Sequence, residues 1–145
     1  MNSSIDLDFA DGTYTFALPV PQIEELQRKC AIGIGGLYGR VMQGHILVGD
    51  RIVHAPTQAQ FHILDIVETI RHGLIGGGKG MVNDTEVKVS PQLANKLVQS
   101  YVMDRRLTDS WAIAAAILGA CVLGYDPPKK AEPAKKPAAK TQTAD

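Results

Sequence analysis

The sequence is poor in the features that most often reveal a function. Only two of its 145 residues are cysteines, Cys30 and Cys121. They form no CxxC and no spacing typical of a disulfide framework or zinc site. They read as small buried apolar residues in a reducing compartment, with a single pairing between them left open. Aromatic residues make up 6% and charged residues 21%, and 15 Lys+Arg balance 15 Asp+Glu. Such a neutral chain argues against a strongly basic nucleic-acid binder. The longest apolar stretch, residues 111–123, falls short of the ~20 residues a membrane span requires. The first residues carry neither the basic nor the apolar region of a signal peptide, so the expected location is cytoplasmic. The 45% apolar content excludes a collagen-like or globally disordered chain and fits one ordinary globular domain.

The neutrality is a sum of unlike parts. Residues 1–126 hold 10 basic and 13 acidic side chains, whereas residues 127–145 hold five lysines against Glu132 and Asp145. The second segment has four prolines and no large apolar residue. It cannot bury enough surface to offset ordering entropy, so a disordered tail is expected there. The expected organisation is one domain over 1–126 and a Lys/Pro/Ala-rich arm over 127–145.

Within the body, Ile5-Asp6-Leu7-Asp8-Phe9 and Tyr14-Thr15-Phe16-Ala17-Leu18 both alternate, with Asp11-Gly12 between them. This predicts a β-hairpin turning at Asp11-Gly12 and pairing Phe9 with Tyr14, Leu7 with Phe16 and Ile5 with Leu18. One face is then apolar and needs cover, because a lone hairpin is marginally stable. Pro21 and the spacing of Ile23, Leu26 and Cys30 predict a first helix. Gly33, Gly35 and Gly36 are expected to break the chain before a short helix over 37–43. Residues 45–54 fit a second small hairpin turning at Gly49-Asp50, which would set His45 opposite His54. Thr57-Gln58-Ala59-Gln60 has a capping-box pattern. It would open a helix with Ile63, Ile66, Val67, Ile70 and Leu74 on one face, ended by Gly73 and the Gly76–Gly78 run. A loop with a short extended piece at Val87 and Val89 follows. Ser90-Pro91 then caps a helix striped by Ala94, Leu97, Val98 and Tyr101. A last helix over 109–123 is apolar nearly all round, which places it at the centre of the fold or in an interface. The class is α+β: an N-terminal hairpin packed on four to five helices, with a disordered C-terminal tail.

No constellation carries catalysis. Gly73…Gly78-Lys79 satisfies GxxxxGK, but Gly80 follows where a magnesium-binding hydroxyl is needed, and a helix rather than a strand precedes it. A helix-ending loop is the better reading. The four histidines lack HxxxH or HExxH spacing, so neither a metal nor a cofactor is expected. Trp111 reads first as a core anchor and second as an interface hot spot. Tyr14, Phe16, Tyr38, Met42, Tyr101 and Trp111 are the candidate partner-binding residues.

The segment order resembles a known family. An acidic hairpin leads into Pro21-Gln-Ile-Glu-Glu-Leu26, the break Ile32-Gly-Ile-Gly-Gly-Leu37, and then Ile70-Arg-His-Gly-Leu-Ile-Gly-Gly-Gly78. Ser90-Pro91 and Trp111-Ala-Ile-Ala-Ala-Ala-Ile-Leu118 follow. Over residues 5–125 this is similar to the gene-transfer-agent and siphophage tail assembly chaperones, some of which are labelled tail tube proteins. The resemblance implies a protein without enzymatic activity that binds the tape measure protein and assists tail tube assembly in the cytoplasm of a bacterial host. Its implied partners are the tape measure protein, the tail tube protein and copies of itself, with neither nucleic acid nor membrane involved. The class-different alternative is a structural tail component, a tail tube or minor tail protein.

Overall fold

A computed structural model, which describes residues 2–127, folds the N-terminal alternation into the hairpin β1 (Ser4–Phe9) and β2 (Gly12–Ala17). Its register differs from the expected one by two residues. Leu7 pairs with Tyr14 and Ile5 with Phe16, and the turn is Ala10-Asp11 rather than Asp11-Gly12. A shift of two returns every side chain to the same face, so Ile5, Phe9, Tyr14, Phe16 and Leu18 are buried as the alternation requires. Gly12 serves another purpose. A β-carbon there would lie 2.2 Å from the carbonyl oxygen of Met81, on the next strand of the sheet. On the solvent face the hydroxyls of Thr13 and Thr15 donate to Asp8 and Asp6 at 2.9 and 2.7 Å.

Helix α1 (Val20–Cys30) starts at the prolines as expected. Helix α2 (Ile34–Met42) starts earlier than expected, with Gly35 and Gly36 inside it. Gly36 lies there because Ile32 packs across it, with Cδ1 2.7 Å from where a β-carbon would stand. The second hairpin, β3 (His45–Val48) and β4 (Arg51–His54), has the expected register and sets His45 opposite His54.

Helix α3 (Ile63–Gly77) begins well after the expected cap, since Pro56–Gln58 forms a 3-10 turn instead. The start is fixed by Asp65, whose Oδ2 accepts the His62 N–H at 2.7 Å. Ile66, Val67, Ile70 and Leu74 are buried, while Ile63, expected with them, is exposed. Gly78 caps the end of this helix in the left-handed conformation, as the glycine run predicts, whereas Gly73, Gly76 and Gly77 lie within it. They let it touch β2: β-carbons at Gly76 and Gly77 would come within 2.0 and 1.8 Å of the carbonyls of Ala17 and Thr15.

The segment expected to be a loop is a third hairpin, β5 (Lys79–Val82) and β6 (Thr85–Lys88), turning through Asn83 and Asp84 at φ 51° and 63°. It completes an antiparallel sheet of order β1-β2-β5-β6. Helix α4 (Pro91–Tyr101) is capped as predicted, the Ser90 hydroxyl accepting from the Leu93 N–H at 3.1 Å. Helix α5 (Leu107–Leu123) lies at the centre, where Trp111, Ala114, Ile117 and Leu118 are buried among the side chains of the sheet and the other helices. The fold is therefore α+β, with the N-terminal hairpin covered by helices. The arm expected from residue 127 onward lies, from 128 on, outside the described residues.

Candidate functional site

The β3–β4 ribbon presents the largest run of uncovered apolar surface among the described residues. Ile46, Leu47, Val48, Ile52 and Val53 are all exposed, Leu47 to 67%. Three apolar residues in succession leave neither face of β3 polar, a pattern proper to a strand buried on both sides. Here the ribbon is a two-stranded sheet with nothing beyond either edge among the described residues. Unpaired edges and exposed apolar faces together mark a surface for another protein.

The base of the ribbon is anchored. His45 Nδ1 and His54 Nε2 lie 3.0 Å apart, one ring donating and the other accepting. The His54 ring packs on Trp111 at 4.5 Å between centroids, and Phe61 packs on it at 5.0 Å. Trp111 is 1% exposed, and its Nε1–H donates to the Val41 carbonyl at 2.7 Å. Burial, and secondarily the proximity of His54, hold His45 below its usual pKa. The Ala55 N–H closes the base on the Gly44 carbonyl at 2.8 Å.

Behind the base, a buried polar network ties α1, α2 and α3 together. Arg40 grips Asp65 with two bonds, Nε to Oδ2 at 2.8 Å and Nη2 to Oδ1 at 2.7 Å, and Asp65 is 1% exposed. A two-bond fork of this kind fixes orientation as well as charge. One turn on, Glu68 lies 3.4 Å from His72 and from Arg71, and its contact with the His72 side chain, with the Arg71 charge beside it, keeps its carboxyl below the usual range. The His72 contact is at ion-pair distance without hydrogen-bond geometry. The other ring nitrogen of His72 meets Gln22 Oε1 at 2.7 Å. These groups hold the helices together.

The remaining candidates resolve structurally. Gly73…Lys79 runs from a helix C-terminus into a strand, and the carbonyl end of a helix repels phosphate. Cys30 and Cys121 are both free thiols, that of Cys30 pushed up to about 12 chiefly by burial. No cluster of three metal-ligating side chains occurs among the described residues, and no helix among them is long and apolar enough to cross a membrane. A concavity of about 210 Å³ on the outer face of the sheet, lined by Asp6, Thr15, Lys79 and Glu86, is smaller than the ~300 Å³ at which ligand pockets begin.

A family model described as phage tail tube protein, GTA-gp10, matches residues 2–124. The chain belongs to this family. Neither the curated proteins nor the solved structures gave a match. The family is one of phage tail proteins rather than an enzyme class. In this member, three of the six residues singled out from sequence, Tyr14, Phe16 and Trp111, lie in the core. Tyr38, Met42 and Tyr101 are half-buried against it, and Tyr101 carries the Arg105 guanidinium 5.3 Å above its ring. All six therefore belong to the core or pack against it, and none of them is fully exposed. Sequence reasoning placed the ribbon but did not select its residues. The signal was present in Ile46-Leu47-Val48 and Ile52-Val53, apolar runs too short to have been given a hydrophobic face of their own.

Proposed function

We propose that this chain is a structural component of the tail of a phage or gene transfer agent particle, joined to its neighbours by apolar contact and assembled in the cytoplasm of a bacterial host. The ribbon carries this reading. Ile46, Leu47, Val48, Ile52 and Val53 are left uncovered together on one two-stranded ribbon, and the family match supplies the setting. Mass spectrometry of purified particles tests it: the protein should be present at the stoichiometry of a tail component, and its absence from mature tails would sink the reading.

A second reading, that of an assembly chaperone binding the tape measure and tail tube proteins before the particle is complete, draws support from α2. Tyr38 and Met42 lie one turn apart on its surface, half-buried, beside the start of β3. Side chains at this spacing suit the apolar stripe of a partner helix. This reading requires the protein to be absent from particles and to keep the co-expressed tape measure protein soluble. A tape measure protein equally insoluble with and without this chain would remove it.

A further inference from the structure

The four-stranded sheet has an open edge at β1, its outermost strand. Among the described residues no strand lies beyond β1 except a single bridge from Asn2 to Tyr125. The Asn2 N–H donates to the Tyr125 carbonyl at 3.1 Å, and the Tyr125 N–H donates to the Asn2 carbonyl at 2.7 Å. The chain that leaves α5 is thereby pinned to the start of β1. Pro127, two residues on, lines one concavity with Asn2, Ser4 and Asp6. Residues 128–145 thus begin beside the open edge.

That edge is acidic. Asp6 and Asp8 are exposed on the outer face, each with Oδ1 taken by a threonine hydroxyl and with no cation at ion-pair distance among the described residues. Neighbouring charges do not neutralise them. Lys79 shares a concavity with Asp6, but so does Glu86. Arg105 shares another with Asp8, but so does Asp109, and the Arg105 guanidinium lies over the Tyr101 ring. Asp11, exposed in the β1–β2 turn, adds a further negative charge. Lys88 stands opposite Lys79 on the far strands, which turns a cationic segment toward β1 and away from β5–β6. The sequence after Pro127 has the complementary charge: Lys129, Lys130, Lys135, Lys136 and Lys140 against Glu132 and Asp145. Lys129 and Lys130 follow Pro127 by two and three residues, a backbone reach of ~7 to 11 Å. Asp6 and Asp8 stand about 7 Å apart along β1, so this first lysine pair is within range of both.

We infer that the segment 128–145 lies along the β1 edge of its own molecule, Lys129 and Lys130 meeting Asp6 and Asp8, and shields that edge from strands of other chains. Each carboxylate keeps its threonine bond and offers its second oxygen to a lysine. Exposed ion pairs are individually weak, but the tether holds the lysines at an effective concentration on the order of millimolar. The segment has no large apolar residue, so the apolar β3–β4 ribbon is not its place. Pro128, Pro133 and Pro137 lack the N–H that a ladder needs, so the contact runs through lysine side chains and not through a fifth strand. Lysine and proline are also the residues with which sheet edges refuse a further strand. The contact concerns one molecule alone and stands apart from the tail-component reading.

Carbodiimide cross-linking of the full chain at low salt, read by peptide mass spectrometry, tests this. Mixing isotope-labelled with unlabelled protein separates links within a molecule from links between molecules. Lys129 or Lys130 should join Asp6 or Asp8 in peptides of a single isotope. The same lysines joined mainly to Asp50, Asp84 or Asp104, or links of mixed isotope only, overturn the inference. Limited trypsin digestion gives a second readout, because a lysine held by a carboxylate is cut slowly. Relative to cleavage after Lys140, cleavage after Lys130 should rise about threefold when Asp6→Asn and Asp8→Asn are combined. The amides can keep the threonine bonds, and a melting temperature within a few degrees of wild type would show that the variant folds. Wild-type protein in ~1 M NaCl, where the screening length falls to ~3 Å, should show the same rise. A cleavage ratio indifferent to both changes overturns the inference. So does protection of Lys130 that appears only when DNA is added, which would assign these lysines to nucleic acid.

Discussion

In the hairpin β1–β2, apolar and polar residues alternate. One face is sealed under α3 and α5, and the other is held in water by Thr13–Asp8 and Thr15–Asp6. In the ribbon β3–β4 the strands are equally regular, but Ile46-Leu47-Val48 leaves no polar face, and the apolar side chains stand in solvent. The first hairpin draws its stability from the rest of the chain. The second is held mainly at its base, by the two histidines on Trp111. Strand grammar alone therefore does not say where a hairpin ends up. The pattern on its second face does: a polar second face marks a completed surface, and an apolar one marks a surface still awaiting a partner.

The sharpest break on the covered side is at the helix that covers it. In Gly77→Ala the new β-carbon would stand 1.8 Å from the Thr15 carbonyl, backbone against backbone with no flexible side chain to give way. We expect the largest loss in the molecule, on the order of 4 kcal/mol or outright failure to fold, read by urea denaturation. Gly39→Ala is the control. It lies in α2 with open space around it and should gain about 0.5–1 kcal/mol from helix propensity. Phe16→Ala comes next, emptying a site that is 0% exposed, at about 3–5 kcal/mol.

Arg40→Met should cost about 2–4 kcal/mol, because it leaves the Asp65 carboxylate buried without its fork of two bonds. A loss below ~1 kcal/mol in thermal melting would mean that Asp65 is satisfied by the His62 N–H alone.

The base of the ribbon should respond to acid before the covered hairpin does. His45 titrates below its ordinary value of 6.5, so the folded state favours the neutral ring. Its contribution is complete above that value and is lost as pH falls below it. The side chains facing it are His54, which shares its hydrogen bond, and Trp111. Glu68 is held below the usual carboxylate range, so its own loss falls at lower pH. Fluorescence of Trp111, the sole tryptophan, should change as pH falls below 6.5, where a histidine held below its ordinary value charges. That change should vanish in His45→Gln. An unchanged profile in the variant would show that the ribbon does not hang on this pair.

Much of this architecture is legible in the sequence: β1–β2 alternates with period two, α1, α3 and α4 carry apolar stripes near 3.6, and β3–β4 and α5 show as apolar runs bounded by turn or cap residues. The failures have a common physical cause. Gly12, Gly76 and Gly77 read locally as turns and helix ends, but each is a glycine because a backbone carbonyl from elsewhere in the chain approaches too closely for a β-carbon. A distant backbone leaves no mark on neighbouring residues. The β5–β6 hairpin was missed for a different reason. Its turn, Asn83-Asp84, takes positive φ at both positions without glycine, and its strands are four residues long, too short to establish alternation. The interaction surface was hardest to see, because a sequence cannot show whether three apolar residues in a row are covered.

Exposure at the ribbon leads to the smallest expected effect. Leu47 is 67% exposed and Leu18 4%, so the same residue type stands on both sides of the comparison. Leu18→Ala should cost about 2–5 kcal/mol, whereas Leu47→Ala should change monomer stability by no more than ~0.5 kcal/mol, since little contact is lost. Urea denaturation at low concentration, where copies are apart, gives the relevant number. If Leu47→Ala cost as much as Leu18→Ala there, the ribbon would be folding onto its own chain and would not be free for another. A near-zero value for Leu47→Ala, together with higher solubility of the variant, is what a surface built for a neighbour requires. The residue then contributes to the contact between molecules and almost nothing to the fold that presents it.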